Sequence, residues 1–592
     1  MSGDDSLSVE RPIGPLAAGP AYGSDVIAAT LRALDIPFIA LNPGASFRGL
    51  EDSLVNYLGN VRPSLLLCLH EEAAVAIAHG YAKVTGRAMA AAVHSNVGLF
   101  HATMAIFNAW CDRMPVLVLG ATGPIDAAKR RPWIDWIHTA RDQGSVVRSY
   151  VKWDDQPASP AAAREAVLRA AQLAQTPPMA PVYVNFDAEL QEAALAEPLP
   201  EIDHARFTRG PVSGAPAGTA ARLIELLERA RHPILLVGRV SRDQAAWDAR
   251  VAVAERFGAQ VVTDLKVGAG FPTDHPLHTG APGIYAAPEA LAALRRSDVI
   301  LSLDWVDLAG TLAAAYGPAD PAATIVHASL DHALHNGWSM DHQGLPPVDL
   351  ALAIDPDRLV LELCAALGPA AGRSEHARVP ASAAGLADEV LSVDRLAHEL
   401  RQVVGDRAVS LLHLPLGWNG ASWPFRHPLD FLGSDGGGGI GGGPGISVGA
   451  ALALRGTRRL PVGILGDGDY VMGVTALWTA VHYRIPLLIV VANNRSYFND
   501  EVHQERVARS RDRRVENRWI GQRMTDPEID LAQLARAQGA EGVGPIRSVA
   551  ALGPALVAAI AAVDAGAVAV VDVHVVPGYT PSMTAALTRG TP

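Results

Sequence analysis

Short apolar runs alternate with helix-like stretches along nearly the whole chain, and this pattern restricts the fold more than any other feature. Phe38 to Leu41 is one such run, closed by the turn Asn42-Pro43-Gly44. Leu65 to Leu69, Met89 to Val93, Val116 to Gly120 and Val182 to Phe186 continue the series. It resumes at Pro233 to Gly238, Gln260 to Thr263, Val299 to Leu303 and Thr324 to His327, then again at Val409 to Leu412, Val462 to Leu465, Leu487 to Val491 and Val568 to Val575. A strand that is followed by a helix returns to its sheet in parallel, because a parallel pair needs a long crossover. Parallel strands are covered on both faces and so read as unbroken apolar runs. The expected fold class is α/β, with three doubly wound parallel-sheet domains.

Size alone points to about three or four domains, since 592 residues exceed what one core can organise. Two Pro/Gly/Ala-rich stretches, Gly210 to Gly218 and Gly368 to Ala384, divide the series. The boundaries expected are 21–200, 215–368 and 385–580. Residues 1–20, polar and rich in Pro and Gly, read as a flexible arm, and 581–592 as a C-terminal tail.

Charge and cysteine usage exclude several classes. A net charge of −12 argues against a nucleic-acid surface, which needs clustered Lys and Arg. The one dense basic run, Arg506 to Arg514, is interrupted by Asp512 and reads as a solvated face or a loop near an anionic ligand. The three cysteines, Cys68, Cys111 and Cys364, show no metal-ligand spacing and suit a reducing cytoplasm. The acidic N-terminus does not resemble a signal peptide. No uncharged apolar run reaches the roughly 18 residues of a membrane span. A cytoplasmic location is expected.

The strongest motif lies in the third domain. One apolar run ends in Gly466-Asp467-Gly468-Asp469, and the next ends in Asn493-Asn494, 27 positions from Asp467 to Asn494. Both motifs fall at the carboxyl ends of parallel strands, where open α/β sheets bind ligands. Asp467 and Asn494 offer the oxygen ligands that Mg2+ requires. The glycines let backbone approach phosphate oxygens.

This spacing resembles the thiamine diphosphate enzymes. The resemblance implies that Mg2+ is held by Asp467, Asn494 and the backbone carbonyl of Ser496, and that Gly466, Gly468 and Asp469 line the cofactor. It also implies a pyrimidine-binding first domain, a central nucleotide-fold-like domain and a diphosphate-binding third domain. In the glycine-rich segment Gly438 to Gly445, Ile440 stands where the family props the bent cofactor, while Gly442 replaces a usually larger residue. Glu71 lies nine residues before the glycine of Gly80-Tyr81-Ala82, the family's spacing for the catalytic glutamate that activates the aminopyrimidine. Glu72 is then structural or substrate-facing.

Further segments resemble branches of the family. His94-Ser95-Asn96-Val97-Gly98, Asn108-Ala109-Trp110 and Ala476 to Ala480 are similar to benzoylformate decarboxylases, which implies a proton-transfer role for His94. Ala45 stands where those enzymes have a serine, with Ser46 next, which argues against decarboxylation of an aryl 2-oxo acid. Gly98-Leu99-Phe100-His101-Ala102 is similar to 2-hydroxyacyl-CoA lyases, although His101 itself reads as a satisfied core residue. Beyond Asn494, Glu501 and His503 are candidates to handle a substrate hydroxyl proton. The central domain shows no GxGxxG after His232 to Arg239, and its ligand (FAD, ADP, CoA or none) is left open.

The expected activity is thiamine diphosphate- and Mg2+-dependent cleavage or formation of a C–C bond next to a carbonyl. An acyloin lyase or carboligase such as a 2-hydroxyacyl-CoA lyase leads. A 2-oxo-acid decarboxylase or an acetolactate-synthase-like enzyme is the alternative, and a non-catalytic paralogue the remote one. The expected partners are a small 2-hydroxyacyl or 2-oxo substrate and a second copy of the chain, as a homodimer or homotetramer with sites between chains.

Overall fold

Each apolar run becomes a parallel strand. In the computed structural model, which describes residues 9–207, 214–334, 345–368 and 389–579, the strands form three separate sheets. The first contains β1 (Phe38–Leu41), β2 (Ser64–Leu67), β3 (Met89–Val93), β4 (Val116–Thr122), β5 (Asp154–Asp155) and β6 (Val182–Asp187), in the order β2-β1-β3-β4-β6-β5. The second contains β7 (Pro233–Val237), β8 (Gln260–Val262), β9 (Val299–Leu303), β10 (Thr324–Ala328) and β11 (Leu350–Leu352), ordered β11-β10-β9-β7-β8. The third contains β12 (Val409–His413), β13 (Leu460–Gly466), β14 (Leu487–Asn493), β15 (Glu541–Ile546) and β16 (Val568–His574), ordered β12-β13-β14-β16-β15. All the paired strands within these sheets run parallel. Central strands such as β3, β7 and β14 are buried at every position, which is why their sequences are continuously apolar.

Five helices position the site: α1 (Glu71–Thr85), α2 (Ser95–Cys111), α3 (Gly443–Ala453), α4 (Asp467–Gly473) and α5 (Phe498–Ser510). The first and third domains share one core, in which Ala73, Ala74 and Ile77 of α1 join Ile446 and Val448 of α3. Glycines make this contact possible. A Cβ on Gly80 would lie 2.0 Å from the Ile446 carbonyl oxygen, and one on Gly449 would lie 1.8 Å from that of Ile77. No side chain fits at such distances, so the two backbones touch directly.

A buried ionic cluster reinforces the same seam. Lys83 of α1 pairs with Asp112 and donates to the Ser434 carbonyl at 2.5 Å, while His79 Nε2 lies 2.8 Å from Asp112 Oδ2. Burial pushes the Asp112 carboxyl up, but Lys83 and His79 outweigh it and hold the group at about 2. Removing Lys83 would leave the buried Asp112 without its lysine counter-charge, and removing Asp112 would do the same to Lys83.

The described part of the N-terminal segment meets the third domain. Glu10 reaches across to the third domain, accepting from Tyr483 Oη at 3.0 Å and lying 3.3 Å from His482 Nε2. Asn60 Nδ2 donates to the Glu10 carbonyl at 2.9 Å. The first eight residues of that arm, parts of both expected linkers and the tail 581–592 lie outside the described residues. No helix among the described residues is long and apolar enough to cross a membrane.

Candidate active site

β13 and β14 are neighbours, with Gly466 opposite Ala492, so the two motifs meet at one sheet edge. Asp467 is the first residue of α4 and is buried. Asn493 is fully used by the scaffold: its Nδ2 donates to Asp572 Oδ1 at 2.9 Å, and its Oδ1 accepts from Arg495 N at 3.0 Å. Arg495 takes a positive φ of 58°, which turns the chain back toward α4. The Ser496 N–H then donates to Asp467 Oδ2 at 3.2 Å and to Asn494 Oδ1 at 2.9 Å. The three expected ligand residues, Asp467, Asn494 and Ser496, are therefore together.

The donor set fits a hard divalent cation. It offers a carboxylate, a side-chain amide oxygen and a main-chain carbonyl, all oxygens of the kind Mg2+ selects. Burial pushes the Asp467 carboxyl up to about 6, against N–H bonds from Gly468, Arg495, Asp467 itself and Ser496 that favour the charged form. Space is present as well. A Cβ on Gly466 would meet nothing within 4 Å.

Asp469 holds the glycine-rich segment through one oxygen. Its Oδ1 accepts from Gly441 N at 2.7 Å and from Gly443 N at 3.1 Å, latching the glycine-rich segment from below. Asn108 of α2 holds the same segment through Gly437 N and the Gly439 carbonyl, both at 3.2 Å. Gly441, with φ of +106°, adopts a backbone conformation that side chains rarely tolerate. Between these anchors Ile440 projects, 42% exposed.

Glu501 sits in the first turn of α5 and is fully buried. Arg523 Nε and Nη2 donate to its two oxygens at 2.8 and 3.0 Å, Arg518 Nε is at 3.4 Å, and Ser496 Oγ donates at 2.5 Å. The Arg523 bonds outweigh burial and hold its carboxyl below the usual range.

In the first domain, the adjacent acids of α1 point to different places. Glu72 faces its own third domain: its Oε1 would lie 3.7 Å from a Cβ on Gly441, and burial and then Asp469 push its carboxyl up. Glu71 faces α2 instead. It is 6% exposed, its Oε2 is 3.0 Å from His101 Nδ1, and its Oε1 would lie 3.0 Å from a Cβ on Gly98.

His94 is half-buried before α2, and its Nδ1 is 2.7 Å from Ser46 Oγ. Its ring stands edge-on to His138, with centroids 4.9 Å apart. Burial first, and His138 second, keep this imidazole below its ordinary value, hence neutral at pH 7. Gly44 makes room, since a Cβ there would lie 2.1 Å from the His94 ring. Sequence reasoning missed Ser46 and His138 as partners of His94. It also placed His101 in the core, whereas the side chain is 57% exposed and bonds Glu71.

Among the described residues, the central domain supplies none to this cluster. Its strand order reverses between β7 and β9, where α/β sheets take ligands. Arg239 crosses that point and pairs with Asp304 at 3.6 Å and Asp331 at 3.2 Å. A Cβ on Gly238 would lie 2.0 Å from the Asp304 carbonyl oxygen.

Comparison with known proteins matches each domain separately. Residues 22–146 match the N-terminal TPP binding domain of thiamine pyrophosphate enzymes, 220–342 the central domain, and 416–573 the C-terminal TPP binding domain. Benzoylformate decarboxylase of Pseudomonas aeruginosa is 28% identical over 73% of this chain and 79% of its own. The acetolactate synthase large subunit of Corynebacterium glutamicum is 26% identical over 80% and 75%. The structure of the thiamine diphosphate-dependent 4-hydroxybenzoylformate decarboxylase of Rhodococcus jostii RHA1 superimposes with a TM-score of 0.74 at 23% identity, covering 95% of this chain and all of that one. This structural likeness carries the fold.

Proposed function

Since the chain belongs to the thiamine pyrophosphate enzyme family, we propose that it cleaves the bond between the carboxylate and the carbonyl of a small 2-oxo acid, releasing CO2. The observation that carries this reading is the Ser46–His94 pair at 2.7 Å. Ala45 displaces the serine of the decarboxylase pattern by one residue, and the fold returns a hydroxyl to the histidine from the next position. The contact uses Nδ1 and leaves Nε2 for a substrate proton.

Asp467, Asn494 and the Ser496 carbonyl would hold Mg2+, and Gly466, Gly468 and Ile440 would receive the diphosphate and the body of thiamine diphosphate. When bound, that cofactor supplies a nucleophilic carbon and an electron sink. Glu71 would hold and move a proton at the aminopyrimidine. A half-buried, neutral His94 can accept a proton near pH 7. Asp469 positions the segment that carries Ile440. Glu501, shared between two arginines and Ser496, is read as a positioning group for the Ser496 turn rather than a proton carrier. The Arg239 crossing supports a central domain that holds no nucleotide.

The acyloin lyase on a CoA thioester is the second reading. Arg511, Arg513 and Arg514 are exposed just beyond α5, after the Ser496 turn, and offer charge to an anionic acyl carrier. The test loads the protein with Mg2+ and thiamine diphosphate, then compares benzoylformate, alkyl 2-oxo acids and 2-hydroxyacyl-CoA thioesters. CO2 release from a 2-oxo acid that falls in His94→Ala is the expected result. Aldehyde from the thioester, with no CO2 from any 2-oxo acid, would replace this reading with the second.

Assembly follows from the split between Glu71 and Glu72. Glu72 already meets its own chain's glycine-rich segment, while Glu71 faces α2, so the cofactor that Glu71 serves would be held by a second copy. A homodimer or homotetramer is expected. Sedimentation should give no stable monomer at assay concentrations; a fully active monomer would refute the shared site.

A further inference from the structure

We infer that His101 is a positioning residue for Glu71, selecting which of its carboxylate oxygens is free to act. This rests on Glu71 being the group that activates the cofactor. The geometry is local and specific. Gly98 and His101 lie three residues apart on α2 and so share a face. Gly98 gives the Glu71 carboxylate room, with Oε1 packed over the glycine, and His101 Nδ1 takes the other oxygen at 3.0 Å.

The imidazole is itself held. The ring of His70, the residue that caps α1, stacks on it with centroids 5.1 Å apart and planes 20° apart. His70 is fixed in turn, because its Nδ1 accepts the Glu72 N–H at 3.2 Å. A chain of contacts thus runs from the α1 cap through two rings to one carboxylate oxygen.

Physical chemistry gives this contact a consequence. A glutamate at a helix start has several rotamers, and a buried one that must meet a ligand in one orientation gains from a fixed partner. An imidazole donating from Nδ1 to a carboxylate oxygen supplies a charge-assisted bond. It occupies Oε2 and leaves Oε1 as the oxygen that can share a proton with a ring nitrogen. The His101 side chain itself is 57% exposed. His101 therefore acts through Glu71 and needs no contact with the reacting atoms.

The experiment uses the cofactor-loaded enzyme and the cofactor-free protein together. His101→Ala should slow exchange of the thiazolium C2 proton, read by NMR, by about tenfold, the scale of one hydrogen bond to a charged group. Calorimetric affinity of the cofactor-free protein for Mg2+ and thiamine diphosphate should stay near wild type, because the third domain holds both. His101→Asn, which can place an amide N–H near the Nδ1 position, should restore most of the rate and guards against a folding defect in the alanine variant.

The decisive arm is a double-mutant cycle. If His101 works only through Glu71, His101→Ala adds no further loss in a Glu71→Gln background. Additive losses would overturn the inference, as would a wild-type exchange rate in His101→Ala. If Glu71→Gln alone leaves exchange unchanged, the reading of Glu71 fails instead, and the two failures are told apart.

Discussion

Glu71→Gln is expected to lower turnover by about 10²–10⁴-fold, the usual contribution of a placed acid–base group, while the protein still binds its cofactor. Glutamine keeps the size of the side chain and can still meet His101, so the packing against Gly98 survives. It cannot carry the proton that a carboxylate shares with a ring nitrogen. Binding persists because Asp467, Asn494 and Ser496, which would anchor the diphosphate through Mg2+, lie in another domain. The neighbour provides the control. Glu72→Gln should have a much smaller effect, since Glu72 faces Gly441 and Asp469 rather than α2. The measurement is turnover together with C2 proton exchange on both variants. A large loss in Glu72→Gln, with Glu71→Gln near wild type, would reverse the assignment of the two acids.

The sheets could be read from the sequence to the extent that their strands are buried on both faces. β3 and β7 are continuous apolar runs, as is β14 up to Ala492, and the sequence pattern locates each within a residue or two. Three strands were missed, each for a physical reason. β5 is Asp154-Asp155, two polar residues at a sheet edge. β11 is three residues long, also at an edge. β15 contains Gly542, Gly544 and Pro545 and has an irregular register against β16. Edge strands need only one neighbour and tolerate such residues.

The site divides in the same way. Asp467 and Asn494 could be found because a motif at a strand end keeps its direction from the sheet. Ser46 with His94, and His101 with Glu71, could not. Those contacts depend on how α2 crosses α1 and on how the Asn42-Pro43-Gly44 turn folds against it. No local spacing encodes either. Asp469 is an intermediate case: its position was legible, but its partners Gly441 and Gly443 lie in a segment whose path is set by Asn108 of another domain.

Asp467→Ala should weaken Mg2+-dependent binding of thiamine diphosphate by more than about 100-fold, because even changes outside the direct ligands of a metal cost about 10–100-fold. The residue has two duties that alanine removes together: it would contribute the only carboxylate of the proposed ligand set, and it accepts the Ser496 N–H. Asp467→Asn separates them. The amide oxygen can still accept that N–H, so the turn through Asn494 and Ser496 should persist, but the charge is gone. If the charge is what binds Mg2+, both variants lose affinity. If the turn is what matters, the asparagine variant retains it. Calorimetry of the cofactor-free protein with thiamine diphosphate, in Mg2+ and in chelator, reads the difference. Thermal stability gives a second readout. A ligand at 100 times its Kd stabilises the native state by about 2.7 kcal/mol, so the wild-type melting temperature should rise on adding Mg2+ and cofactor, while that of Asp467→Ala should not move. Without cofactor, Asp467→Asn should melt near wild type, while Asp467→Ala should melt lower because the buried Ser496 N–H loses an acceptor. Undiminished Mg2+-dependent affinity in Asp467→Ala would remove the residue from the metal set and, with it, the reason for placing the cofactor at this sheet edge.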